Sequence, residues 1–99
     1  MSSVEKIFQY LDRKDIEAFK LVPQNQNVRA KLFQYLDLDQ KNFEAFELVS
    51  PYFDSRAIAF KFLNQKSIEA FKLIPSAYRW TVFKYLDPEQ RNDETFKLV

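Results

Sequence analysis

Four glutamates, Glu17, Glu44, Glu69 and Glu94, occupy one register of a motif that recurs along this chain. Paired carboxylates can exchange protons or ligate a hard cation, but only where they converge on one point. With spacings near 25 residues, on separate local units, nothing in the sequence draws them together. They read as solvent-facing helix residues, with Lys20, Lys72 and Lys97 placed three positions beyond Glu17, Glu69 and Glu94. Such pairs are worth about 0.2–0.5 kcal/mol each. The acidic corners Asp12-Arg13-Lys14-Asp15 and Asp37-Leu38-Asp39-Gln40 fall short of a calcium loop, which needs more oxygen ligands and a glycine at its sharp turn. The chain has no His, no Cys and no Gly. The usual general base, the thiolate nucleophile, the commonest transition-metal ligands and every glycine-rich phosphate loop go with them. We read the chain as a non-enzyme with no cofactor and no metal.

Aromatic residues offer a different chemistry, that of contact. Tyr10, Tyr35, Phe62 and Tyr85 each lie two residues beyond a recurring phenylalanine, roughly 200° around a helix from it. They therefore fall at the edge of the apolar stripe or past it. Stacked units would line them into an aromatic ladder, a groove for a partner helix or peptide, since Tyr anchors interfaces well. The plain alternative is packing between adjacent units with hydroxyls at the surface. Gln9 and Gln34 flank the first two tyrosines; Lys61 and Lys84 hold the same place later. Two positive charges are too few for a groove that tracks phosphates. Tyr78-Arg79-Trp80 breaks the motif with an aromatic and cationic run. Trp80 joins the candidate partner-binding residues, and core filling is the competing reading of this run.

The elements that position these side chains are short and repeated. Phe33-Gln34-Tyr35-Leu36-Asp37 leads to Phe43-Glu44-Ala45-Phe46-Glu47-Leu48-Val49, and the pattern occurs four times. The markers Phe8, Phe33, Phe60 and Phe83 are separated by 25, 27 and 23 residues. Asp12 to Phe19 and Asn64 to Phe71 each span 7 residues, whereas Asp37 to Phe46 and Asp87 to Phe96 each span 9. Odd and even units thus differ in loop length, as if a hairpin had duplicated and then the pair. A period this short belongs to helical-hairpin arrays.

Within each unit a first helix is expected over about 4–11, over the Val28 to Leu36 stripe, over about 51–63 and over about 76–86. Val4, Ile7, Phe8 and Leu11 fall at i, i+3, i+4 and i+7, one apolar stripe. Asp12, Asp37, Asn64 and Asp87 are expected to N-cap the second helix, with Pro88 as its first residue and Gln40 and Gln90 at capping-box spacing. Ser50-Pro51 reads as the start of the third unit's first helix. Ala18, Ala45 and Ala70 keep one place small for a crossing helix; Thr95 takes that place in the last unit, where a covering neighbour is expected to be missing.

Net charge is +1, from 15 basic and 14 acidic residues. The signs alternate, so no field favours nucleic acid or an anionic membrane, and neither is expected as a partner. The start of the chain lacks the apolar run of a signal peptide, and an intracellular, cytoplasmic setting is expected.

Ile7-Phe8-Gln9-Tyr10-Leu11-Asp12-Arg13-Lys14-Asp15-Ile16, running on to Leu21-Val22, resembles the middle of an F-box. Tyr35-Leu36-Asp37, Leu48-Val49-Ser50-Pro51-Tyr52-Phe53 and Tyr85-Leu86-Asp87-Pro88 carry the same likeness. The resemblance implies a helical module that docks on the adaptor subunit of a ubiquitin ligase.

The expected fold is all-α, with about eight short helices in tandem helical-hairpin repeats forming a small α-solenoid-like array. One domain spans 1–99, with units at about 3–23, 24–50, 51–75 and 76–99; a closed irregular bundle is the alternative. The expected function is non-catalytic binding of a protein or peptide partner. The alternatives are a designed or purely structural repeat without a natural ligand, and adaptor docking. Open array ends predict concentration-dependent self-association.

Overall fold

The computed structural model describes residues 3–24 and 27–99. The chain is all-α, with no strand among the described residues. The helices are α1 (Ser3–Phe8), α2 (Ile16–Lys20), α3 (Val28–Leu32), α4 (Phe43–Glu47), α5 (Ser55–Phe60), α6 (Ile68–Lys72), α7 (Ser76–Arg79) and α8 (Asp93–Phe96). Single 3-10 turns cover Phe33–Tyr35, Leu38–Gln40, Phe83–Tyr85 and Pro88–Gln90. Among the described residues no helix exceeds 6 residues, well short of the roughly 12 at which an isolated helix becomes marginally stable in water. Their helicity therefore rests on packing. The molecule measures 42 × 25 × 17 Å, with α1 packed on α3, α3 on α5 and α4 on α5.

A single file of phenylalanines forms the centre. Phe8, Phe19, Phe33, Phe46, Phe60, Phe71, Phe83 and Phe96 touch in chain order through seven ring contacts. Centroids are 6.0–6.3 Å apart and the planes are steeply inclined. Edge-to-face geometry sets the positive ring edge on the negative face of the next ring, worth about 0.5–1.5 kcal/mol per pair beyond area burial. Phe19, Phe33, Phe46, Phe60 and Phe71 are fully buried. This file is a different set from Tyr10, Tyr35, Phe62 and Tyr85, of which Tyr10, Tyr35 and Tyr85 are exposed.

The helix caps fall later than the sequence suggests. Asp15 Oδ1 accepts from Ala18 N at 3.0 Å, Asn42 Oδ1 from Ala45 N at 2.9 Å, Ser67 Oγ from Ala70 N at 3.3 Å and Asn92 Oδ1 from Thr95 N at 3.2 Å. Asp12 and Asn64 lie three residues before these caps, and Asp37 and Asp87 make no side-chain cap bond to the turns they precede. The capping box belongs to Asn92 and Thr95, not to Asp87 and Gln90. The corner residues stitch neighbours instead. Asp37 N donates to Lys14 O at 2.9 Å, Asn64 N to Lys41 O at 2.9 Å and Asp87 N to Lys66 O at 3.1 Å.

Loop length sets what else crosses each joint. The longer loops contain the 3-10 turns that project Gln40 and Gln90 backwards. Gln40 Oε1 accepts from Ile16 N at 3.1 Å and Gln90 Oε1 from Ile68 N at 3.3 Å, satisfying the first N–H of α2 and of α6. The shorter loop at Asn64 sends its side-chain amide to Leu38 O at 3.1 Å.

Three arginines close the other side. Each stands four residues before a ladder phenylalanine. Arg29 donates from Nε to Val22 O (2.8 Å) and from its two terminal nitrogens to Leu48 O (2.7 Å) and Lys20 O (3.1 Å). Arg56 does the same to Val49, Leu73 and Glu47, and Arg79 to Ile74, Leu98 and Lys72. A planar fork with five donors suits carbonyls left over at two helix C-termini. Desolvation lowers the pKa of both Arg29 and Arg56, and the Glu47 carboxylate raises that of Arg56 in partial compensation. A guanidinium stays charged regardless.

The third unit's first helix is shorter than expected. Phe53 takes a φ of 54°, which a right-handed helix cannot contain. Ser50-Pro51 therefore does not open α5, and Tyr52 and Phe53 stand in solvent. Thr95 is buried, not uncovered. Its hydroxyl bonds Gln90 O and receives Asn92 N, which makes it acceptable in an apolar place. The small position left partly open is Ala18, at the opposite end.

Candidate binding surface

Gln9, Gln34 and Tyr35 come together. With Glu5, Lys31 and Leu32 they line a groove of about 220 Å³ between α1 and the α3 end. Two of the three added members lie four residues from an expected one: Glu5 is four before Gln9, and Lys31 four before Tyr35. That i, i+4 relation was the available signal. Gln34 Nε2 donates to Lys31 O at 3.0 Å, which fixes one wall. The groove mixes an aromatic face, two amides and charges of both signs.

The other candidates lie elsewhere. Tyr10 is 78% exposed and does not line the groove. Phe62 is half-buried against the core with Lys61 Nζ 5.2 Å from its ring centroid. Tyr85 carries Lys84 Nζ 5.3 Å from its ring centroid. Trp80 is 70% exposed, so it does not fill the core; Tyr78 packs there and Arg79 makes the clamp.

Of the recurring glutamates, Glu17 pairs with Lys20 at 3.4 Å, and all four are exposed. Glu69 shares an open polar depression of about 340 Å³ with Asp87, Glu89 and Gln90. Among the described residues no group of three or more acidic side chains is placed to hold a metal. No helix among them is long and apolar enough to cross a membrane. A third depression, of about 200 Å³ and almost wholly apolar, opens beside α1 and α2.

No family model, curated protein sequence or solved structure matches this chain.

Proposed function

We propose that this chain is a non-catalytic protein-binding module, a tandem array of helical hairpins that captures a peptide segment on its surface. The observation that carries the reading is the groove of Gln9, Gln34 and Tyr35. Tyr presents a rigid ring with little rotamer entropy to lose, and the two amides can satisfy the backbone of an extended or helical segment. The three arginine clamps and the phenylalanine file support the array reading, because each recurs at the period of the sequence motif. An array of this kind presents continuous faces and needs no reactive residue.

A peptide display library selected against the folded chain tests the reading. Selected peptides are expected to lose affinity by about tenfold or more on Tyr35→Ser, the loss typical of an interface anchor, with unchanged far-UV circular dichroism. No enrichment, or binding indifferent to Tyr35→Ser and to Gln34→Ala, overturns it.

A further inference from the structure

Positions that are buried in three of the four sequence units are open in the first. Ile7 is 60% and Leu11 39% exposed. At the matching places, one before and three after the ladder phenylalanine, Leu32, Ala59 and Val82, and then Leu36, Leu63 and Leu86, are all buried. Leu21 is 83% exposed, whereas Leu48, Leu73 and Leu98 are half-buried. Val4, Ile7, Phe8, Leu11, Ala18 and Leu21 line the apolar depression of about 200 Å³.

The opposite end carries the converse surface. Phe96 is 67% exposed, but Phe19, Phe46 and Phe71 at the same register are sealed. Each of those three is covered by the ladder phenylalanine of the next unit, Phe33, Phe60 or Phe83, at 6.0–6.2 Å. Phe96 lacks that cover, and Phe8 is the ladder phenylalanine with no ring before it among the described residues. The two ends are thus the separated halves of a joint that the molecule makes three times internally.

We propose that a second copy of this chain docks head to tail, with the Phe96 edge of one copy seated in the Ile7, Phe8, Leu11 and Leu21 depression of the next. The inference rests on the array reading and is independent of the peptide groove. Internal joints supply its geometry. Phe96 lies over the exposed Ile7, Leu11 and Leu21, since Phe8 beneath them is only 3% exposed. Asp12 stands at the register of Asp37, Asn64 and Asp87, so its backbone N–H meets Arg91 O of the other copy. One component of the internal joint is missing. Val4 occupies the register of Arg29, Arg56 and Arg79, so no guanidinium reaches back to the carbonyls after α8. The contact is therefore weaker than an internal joint and reversible. Because the two surfaces differ, it is heterologous and builds open chains rather than a closed dimer.

Sedimentation equilibrium over roughly 10 µM to 1 mM, the range suited to weak association, tests this. The weight-average mass of the chain is expected to rise above 11.9 kDa with concentration. Phe96→Lys and Leu21→Lys alter exposed side chains, so each variant folds, and each alone stays monomeric. Mixed in equal amounts they form one discrete dimer, since one retains the intact depression and the other the intact Phe96 edge. Tyr35→Ser leaves association unchanged, which separates this contact from peptide capture. A wild-type chain that remains monomeric throughout overturns the proposal. So does self-association of Phe96→Lys alone or of Leu21→Lys alone, since either means pairing of like ends, and so does association indifferent to both.

Discussion

The first helix pair and the three that follow it carry nearly the same apolar letters in different surroundings. Phe8 is sealed like Phe33 and Phe60, yet Ile7 one residue away stands in water where Leu32 does not. The clamp position holds Val4 in the first pair and Arg29, Arg56 and Arg79 in the others. Burial of the flanking apolar positions is therefore conferred by the preceding neighbour, not by the segment itself. The arginines sit where two neighbours leave helix-end carbonyls facing one another. Helices of five or six residues have too little surface to seal their own stripes, so their burial comes from packing against other helices, α1 on α3 and α3 on α5.

The strongest way to break that contrast is at the ladder. Phe46 has ladder rings on both sides and is fully buried, whereas Phe96 has one and is mostly exposed. Phe46→Ala is expected to cost about 3–5 kcal/mol, a large part of the roughly 5–15 kcal/mol available to a domain of this size. Phe96→Ala is expected to cost less than about 1 kcal/mol, because it forfeits one ring contact and little burial. Urea unfolding followed by circular dichroism measures both. Equal losses would mean that the ladder does not derive its strength from flanking neighbours.

The clamp comes next. Arg56→Ala removes three donors from the carbonyls of Val49, Leu73 and Glu47. Its guanidinium is only partly buried, so water replaces some of what is lost, and the expected cost is about 1–2 kcal/mol. Arg56→Lys keeps the charge but not the fork, and should recover less than half of that. Full recovery by Lys would show the clamp to be plain charge attraction.

Helix caps are smaller still. Asn42→Ala and Asn92→Ala each remove an acceptor from the first turn, at an expected cost of about 1 kcal/mol. Thr95 also receives Asn92 N, so the last cap is doubly bonded and Asn92→Ala should match Asn42→Ala despite its greater exposure. Thermal melts of the two variants compare them directly.

Much of this was legible in the sequence, and the misses have physical causes. The helical content, the marker phenylalanines and the difference between long and short loops follow from spacing alone. Cap assignment failed because Asp12, Asp37, Asn64 and Asp87 are good cap residues by type. The corner needs at least three more residues before the backbone can turn into a helix, so Asp15, Asn42, Ser67 and Asn92 take the role. Gln40 and Gln90 stand at capping-box spacing from Asp37 and Asp87 but form no box with them; their side-chain carbonyls accept from the helix starts at Ile16 and Ile68 instead. Periodicity cannot assign a partner across a joint. The clamp left a fainter trace: three of the five arginines recur four residues before a ladder phenylalanine. A reading tuned to apolar stripes passes over them, because their partners are backbone carbonyls and leave no letter. At the groove, Gln9, Gln34 and Tyr35 were legible from their register, whereas Tyr10 faces away because α1 ends at Phe8 and the chain has already turned.

Val4→Arg turns the opening contrast into its smallest and most discriminating test. Placed at the clamp register, the new guanidinium can reach Leu21 O within its own pair, as Arg29 reaches Leu48 O at 2.7 Å. Among the described residues no helix end precedes α1 for it to hold, so only one of the three internal bonds is available. The expected gain for the monomer is therefore about 0.5 kcal/mol, at the edge of what unfolding measurements resolve. Across a head-to-tail contact the other two donors find the Lys97 and Val99 carbonyls of the neighbouring copy. Association should then strengthen by about tenfold, two net hydrogen bonds' worth, while the monomer barely changes. A large gain in monomer stability without tighter association would place the clamp's value within one helix pair, and would remove the neighbour from the explanation of why those three arginines are there.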